Sequence, residues 1–167
     1  MLKRDDEIWQ IYESSFPACE RRKVEAYGPI CEAEPSFKMD VLREGELRVG
    51  LMFHWDREAF SYLEHFAVRS DIRNRGLGGK FLDAYLSEHA RVVLEVDAPK
   101  DEISRRRIGF YERHGLTFSG IHFTHPGYEA GVKPYTLYLM TRPAWTASEG
   151  EAFIDFLFRR VLKKARI

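Results

Sequence analysis

The sequence predicts an α+β fold, α/β-like in part, with a mixed and mostly antiparallel sheet. Three observations predict it. Three strand-like runs follow one another between residues 37 and 68 with only short polar turns between them, the spacing of an antiparallel meander. After that point, runs with helical periodicity alternate with strand-like runs. Helical periodicity also marks both ends of the chain. The resulting order, α-α-β-β-β-α-β-α-β-β with one more helix at the end, excludes a pure bundle or sandwich.

Taken in order, Asp5–Glu13 places Ile8, Trp9, Ile11 and Tyr12 near helical spacing, and Phe16-Pro17 breaks the helix. Cys19–Ala26 reads as a second, charged helix whose Glu20, Arg21, Arg22 and Glu25 form a solvated face or line a substrate mouth. Phe37–Arg43, Leu47–Trp55 and Ala59–Val68 are the meander strands. A helix runs from Leu77 to His89 through Phe81, Leu82, Tyr85 and Leu86. Val92–Val96 is a buried strand. Glu102–His114 is a helix closed by Gly115, and Leu116–Phe123 and Tyr135–Thr141 are the last strands. Residues 1–145 are read as the main domain. Residues 146–167 add a helix whose stripe Phe153, Phe156, Leu157 and Val161 packs on that domain or at a dimer contact.

Composition excludes several functions. Lys plus Arg and Asp plus Glu both total 26, so no global field for nucleic acid is expected. The charged start Met1-Leu2-Lys3-Arg4-Asp5-Asp6-Glu7 is no signal peptide, and no apolar run approaches membrane-spanning length. Cys19 and Cys31 lack metal-ligand spacing and read as free thiols of a cytoplasmic protein. His122 and His125 lie near a loop suited to substrate, but without a third ligand no metal site is expected.

The chemistry concentrates in Tyr62–Leu86. An aromatic strand, Tyr62–Val68, runs into Arg73-Asn74-Arg75-Gly76-Leu77-Gly78-Gly79 and then into a helix. Glycines admit a phosphate to the backbone, the first amides of the helix point at it, and Arg73 and Arg75 add charge. The turn is not a nucleotide P-loop, because Phe81 follows Gly79-Lys80 and Asn74 stands where the first glycine belongs. Nor is it a dinucleotide fingerprint, whose third glycine would fall at Phe81.

Arg73-x-x-Gly76-x-Gly78 after an aromatic strand resembles the coenzyme A signature of the GNAT superfamily of acyl-CoA-dependent N-acetyltransferases. Arg107-Ile108-Gly109-Phe110-Tyr111-Glu112-Arg113-His114-Gly115-Leu116 resembles that superfamily's later helix, with its Phe-Tyr pair and Gly-apolar exit. The element order matches the same arrangement from about Leu2 to Arg142. The resemblance implies a GNAT fold with helices on both faces of the sheet, acetyl-CoA as cosubstrate and no metal. It implies that the main chain of Phe66, Ala67 and Val68 pairs with the pantetheine arm. The amides and side chains of Arg73, Asn74, Arg75, Gly76, Leu77, Gly78, Gly79 and Lys80 hold the diphosphate, and Ser104 stands where many members carry a cofactor-contacting Asn. Tyr111 is the expected general acid toward the coenzyme sulfur. Arg107 departs from a usual small residue in the same helix.

The reaction such a site performs is attack of an amine on a thioester. A lysine-like amine must first lose a proton, at roughly 4–5 kcal/mol near neutral pH, so a base or a water chain helps. Phe66 N–H would donate to the thioester carbonyl. Glu64, two residues before Phe66, is the first choice as base and an equal candidate for pairing with an arginine; Glu95 is the second choice. His65 faces the other way, as a core histidine. The acceptor is expected to be a small-molecule or peptide amine, acting on a monomer or homodimer without nucleic acid or membrane. The alternatives are a non-catalytic acyl-CoA-binding regulatory module, and nucleic-acid binding through Arg73-Asn74-Arg75 and Arg105-Arg106-Arg107.

Overall fold

The computed structural model describes residues 7–72 and 75–165. The chain divides into two units, Met1–Val92 and Val93–Ile167. Among the described residues they carry five α-helices and six strands of a mixed α+β fold.

In the first unit, α1 (Glu7–Ser15) buries Ile8, Trp9, Ile11 and Tyr12, the stripe read from the sequence. Strands β1 (Phe37–Glu44), β2 (Leu47–Asp56) and β3 (Ser61–Val68) form the antiparallel meander in that order. Tyr27 is the centre of the aromatic core, 5.3 Å from Trp9 and 5.2 Å from Phe53 between ring centroids. Pairs at such distances add about 0.5–1.5 kcal/mol each beyond burial. Helix α3 (Leu77–Glu88) closes the unit and buries Leu77, Leu82, Tyr85 and Leu86.

The region between α1 and β1 departs from expectation. Cys19–Ala26 is not a helix but two single 3-10 turns, Ala18–Glu20 and Val24–Ala26, and the second helix is α2 (Tyr27–Ala33). Arg21 and Lys23 are extended, which turns Arg22 inward until only 6% of it is exposed. A helix here would leave Arg22 in solvent. A buried partner for this one side chain overrides the local helical propensity.

In the second unit, β4 (Val92–Asp97), β5 (Thr117–His125) and β6 (Tyr135–Arg142) lie in the order β4-β6-β5, with β5 and β6 antiparallel. Helix α4 (Glu102–Arg113) starts at an Asp101 cap. Helix α5 (Ala147–Phe156) continues as a π-helical turn, Leu157–Leu162. Phe153, Phe156, Leu157 and Val161 are all buried within the chain. α5 sits so closely on β5 that a Cβ at Gly150 would lie 2.7 Å from the Ile121 side chain. Among the described residues, no helix is long and apolar enough to cross a membrane.

At Gly50, opposite Val68, β3 leaves no room for a side chain on β2: a Cβ there would run into the Ala67 carbonyl oxygen. Backbone cannot yield as a flexible side chain would. Gly50→Ala is therefore expected to lower stability by about 1–3 kcal/mol in urea denaturation. An unchanged midpoint would mean that the two strands are not held at this spacing.

Candidate active site

The register between β2 and β3 slips near its middle. Phe53 pairs with His65 but His54 pairs with Leu63, so Glu64 is an extra residue on β3. Such a bulge bends a strand and re-aims its side chains. Here it delivers the Glu64 carboxylate into the interior, with its side chain fully buried. A buried carboxylate needs a counter-charge and donors. The Arg22 guanidinium donates to Glu64 Oε1, and Trp55 Nε1 donates to Oε2 at 2.7 Å.

Arg22 is fixed in turn. Its backbone N–H donates to the Tyr12 hydroxyl oxygen at 2.9 Å, and the Tyr27 hydroxyl donates to the same oxygen at 2.7 Å. The guanidinium carbon lies 5.9 Å from the Tyr27 ring centroid, in cation–π range. Burial pushes the Glu64 pKa up, but the Arg22 charge and the hydrogen bonds from Trp55 and Arg22 outweigh it and leave it below the ordinary carboxylate value. Glu64 is thus an ionised, fully engaged carboxylate. To accept a proton from an amine it would have to release Arg22.

His65 is a core histidine, but it does not face the other way: it packs on Tyr12 and Phe53, on the same side of β3 where Trp55 and Arg22 reach Glu64, because the bulge breaks the strand's alternation. Phe16 and Tyr12 pack edge-on to its ring at 4.7 and 5.0 Å. Its Nε2–H donates to the Glu20 carbonyl at 3.1 Å, tying the first 3-10 turn to β3. Burial drives its pKa down to about 4, and the nearby Glu64 charge only partly opposes this.

Beyond the bulge, Phe66, Ala67 and Val68 pair with Met52, Leu51 and Gly50, and Phe66 and Val68 remain half-buried. Gly76 follows in the left-handed region (φ 74°), a conformation that a Cβ would strain, and it caps α3 without a side-chain hydrogen bond. The first turn of the helix bond ladder is Lys80 N–H to the Gly76 carbonyl at 3.1 Å. The amides of Leu77, Gly78 and Gly79 precede it and point out of the helix end, where the dipole is positive. Arg75 and Lys80 are exposed at the same place, Arg75 with a loose ion pair to Glu44 at 3.7 Å. Arg73 and Asn74 lie outside the described residues.

The second unit carries the remaining expected residues. Tyr111 is half-buried near the end of α4, and burial pushes its phenol up to about 12, with Arg107 opposing weakly. It holds its proton throughout the neutral range. Arg107 faces Asp97 at 3.5 Å. Ser104 closes a reciprocal capping box: its N–H donates to Asp101 Oδ1 at 2.7 Å, and its Oγ accepts from Asp101 N–H at 3.1 Å. That commits the Ser104 hydroxyl to starting α4. Glu95 is half-buried on β4. His122 is exposed against Tyr138, whereas His125 is buried and its Nδ1 accepts from Gly127 N–H at 2.9 Å. His125 thus shapes its own turn.

Reasoning from sequence did not single out Trp55 or Tyr12, and Arg22 was read as part of a charged helix face, solvated or lining a substrate mouth. No local pattern distinguishes the buried Arg22 from its half-buried neighbour Arg21. The one available signal was that Glu64, on an aromatic strand, needed an arginine.

An α+β fold with a bulged strand leading into a left-handed glycine and an uncapped helix start defines a class: proteins with an anion-accepting strand–turn–helix junction. The sequence model of the acetyltransferase (GNAT) family matches residues 5–116, and the chain belongs to that family. A Bacteroides thetaiotaomicron protein described as a GNAT-family acetyltransferase superposes with a TM-score of 0.87 at 29% identity, over 95% of this chain and 91% of its own. A GNAT acetyltransferase from Elizabethkingia anophelis with acetyl-CoA bound shares the fold (TM-score 0.54, 14% identity, 72% and 82% covered). So does the ribosomal-protein-S18-alanine N-acetyltransferase of Escherichia coli (TM-score 0.60, 17% identity, 87% and 92% covered). No curated protein matches the sequence.

The buried pair gives a direct test. Arg22→Met strands the Glu64 charge in the interior and should cost about 3–5 kcal/mol of stability. Adding Glu64→Leu should recover much of that loss in urea denaturation. If the double variant is no more stable than Arg22→Met alone, the two residues are not energetically coupled.

Proposed function

We propose that the chain transfers an acetyl group from acetyl-CoA to a primary amine of a small molecule or peptide by direct attack. The observation that carries this reading is the β3–α3 junction, where a left-handed Gly76 leads into side-chain-free Gly78 and Gly79 at an uncapped helix start. That geometry suits a diphosphate, held by the first amides of α3 together with Arg75 and Lys80. Arg73 and Asn74 belong to the same proposed cradle by sequence. The backbone of Phe66, Ala67 and Val68 is assigned to the pantetheine arm, as a strand added to a strand.

In the reaction, the neutral amine forms a C–N bond at the acetyl carbonyl carbon. Phe66 N–H stabilises the developing oxyanion, the C–S bond breaks, and Tyr111 donates its proton toward the departing sulfur. A phenol that keeps its proton through neutral pH suits that task. The ammonium proton goes to Glu95 or to solvent in preference to Glu64, because the Arg22 and Trp55 bonds make Glu64 a weak acceptor. Glu64 instead holds the bulge that presents Phe66. Ser104 contributes by starting the helix that bears Tyr111.

Tyr111→Phe tests the assignment with acetyl-CoA and a panel of primary amines, read as release of free thiol. Turnover is expected to fall roughly 10²-fold or more, with coenzyme affinity unchanged. Undiminished turnover would make Tyr111 a packing residue. Coenzyme binding without thiol release for any amine would favour a non-catalytic acyl-CoA-binding module.

A further inference from the structure

We propose that His54, Asp56 and His89 form a binding site for a divalent transition-metal ion of the zinc type. His54 and Asp56 are two apart on β2 and share one face of that strand, and His89 is the C-terminal cap of α3. One ligand atom from each lies within 4.8 Å of the other two.

Hydrogen bonds behind the two rings set which nitrogen faces the centre. His89 Nδ1 is 2.8 Å from the Tyr85 carbonyl, which can only accept, so Nδ1 carries the hydrogen. The neutral ring then presents the lone pair of Nε2, and that atom stands 3.1 Å from Asp56 Oδ1. His54 Nε2 is 2.9 Å from Asp40 Oδ2, also an acceptor, so a neutral ring that keeps this bond has its lone pair on Nδ1, 2.9 Å from the same Asp56 oxygen, where a cation would take the place of a proton. Three electron-pair donors therefore converge. A cation among them satisfies all three at once, and Asp40 and the Tyr85 carbonyl are the outer partners that orient metal-binding imidazoles.

Packing fixes this geometry in advance. The Tyr85 ring stacks on His89 at 4.1 Å and meets His54 edge-on at 5.1 Å. His54 is 3% exposed, while the Asp56 side chain is 36% exposed, so the site has a rigid floor and an open front for solvent ligands. Tetrahedral ligands at zinc distances stand roughly 3.3 Å apart, so the two nitrogen contacts to Asp56, at 2.9 and 3.1 Å, need only a few tenths of an ångström of spreading. Two imidazoles with one carboxylate suit Zn²⁺, Co²⁺ or Ni²⁺ and not Mg²⁺ or Ca²⁺. His89 and Gly76 cap opposite ends of α3, roughly 20 Å apart at the helical rise. The ion would thus clamp the end of β2 to the end of α3, remote from the coenzyme cradle and independent of the proposed reaction.

The test is titration of chelator-treated full chain with Co²⁺, read by visible ligand-field absorption, and with Zn²⁺, read by calorimetry. The expected result is one ion per chain, excess Mg²⁺ without effect, and a Zn²⁺-dependent rise in the thermal midpoint. His89→Ala, checked for folding by circular dichroism, should weaken binding at least roughly tenfold, and Asp40→Asn by about 10–100-fold. Absence of saturable binding in the folded wild-type chain would overturn the proposal, the cluster then holding protons between its rings and carboxylates. Zn²⁺ binding that His89→Ala leaves unchanged would also overturn it, placing the ion elsewhere.

Discussion

The buried pairing of Arg22 with Glu64 is the constraint around which the first unit is arranged. An ionised carboxylate with no solvent contact is sustainable only with a matched cation and donors to its remaining lone pairs. Meeting that need draws Arg22 inward and prevents the chain around it from being helical. The same need uses the Tyr12 and Tyr27 hydroxyls to hold the Arg22 backbone, and places Trp55 on the other carboxylate oxygen. It also accounts for the extra residue in β3, since a regular strand would give Glu64 a direct cross-strand partner. Phe66 follows two residues later, so the pair sets the direction in which β3 leaves the bulge.

Much of this was legible in the sequence. The element order, the meander, and the helix starting at Leu77 rest on periodicity and glycine placement, which are local properties. The α4 helix was legible for the same reason, from its Phe110-Tyr111 pair and the Gly115 stop. Arg22 was not legible, because its burial is decided by a partner 42 residues away. Helix α2 was obscured by Gly28-Pro29, which reads as a breaker but is tolerated in a first helical turn. Ser104 was read as a cofactor contact, whereas its visible partner is Asp101 three residues earlier, in a cap that serine performs well. The His54, Asp56 and His89 group joins the ends of two separate elements, and no spacing in the sequence announces it.

Each unit, taken by itself, carries features that the proposed acyl transfer uses. The first carries a rigid strand and a helix start with outward-pointing amides, features that accept negative charge without a side chain. The second carries a tyrosine whose proton is retained by burial. Family membership supports acetyl transfer as the class of reaction, while the acceptor is decided by the particular site and not by the fold. The segment Cys19–Ala26, read from sequence as a solvated face or a substrate mouth, is tied to the core by Arg22 and by the His65 bond to Glu20.

The most direct test of this account is calorimetric titration of acetyl-CoA into the purified, folded chain, with adenosine diphosphate as a comparison ligand. The account predicts saturable binding at a single site with micromolar strength, and weaker binding of the diphosphate alone. A folded chain that gives no binding heat with acetyl-CoA and does not retain it in equilibrium dialysis would contradict it, reducing the glycine turn to a helix cap.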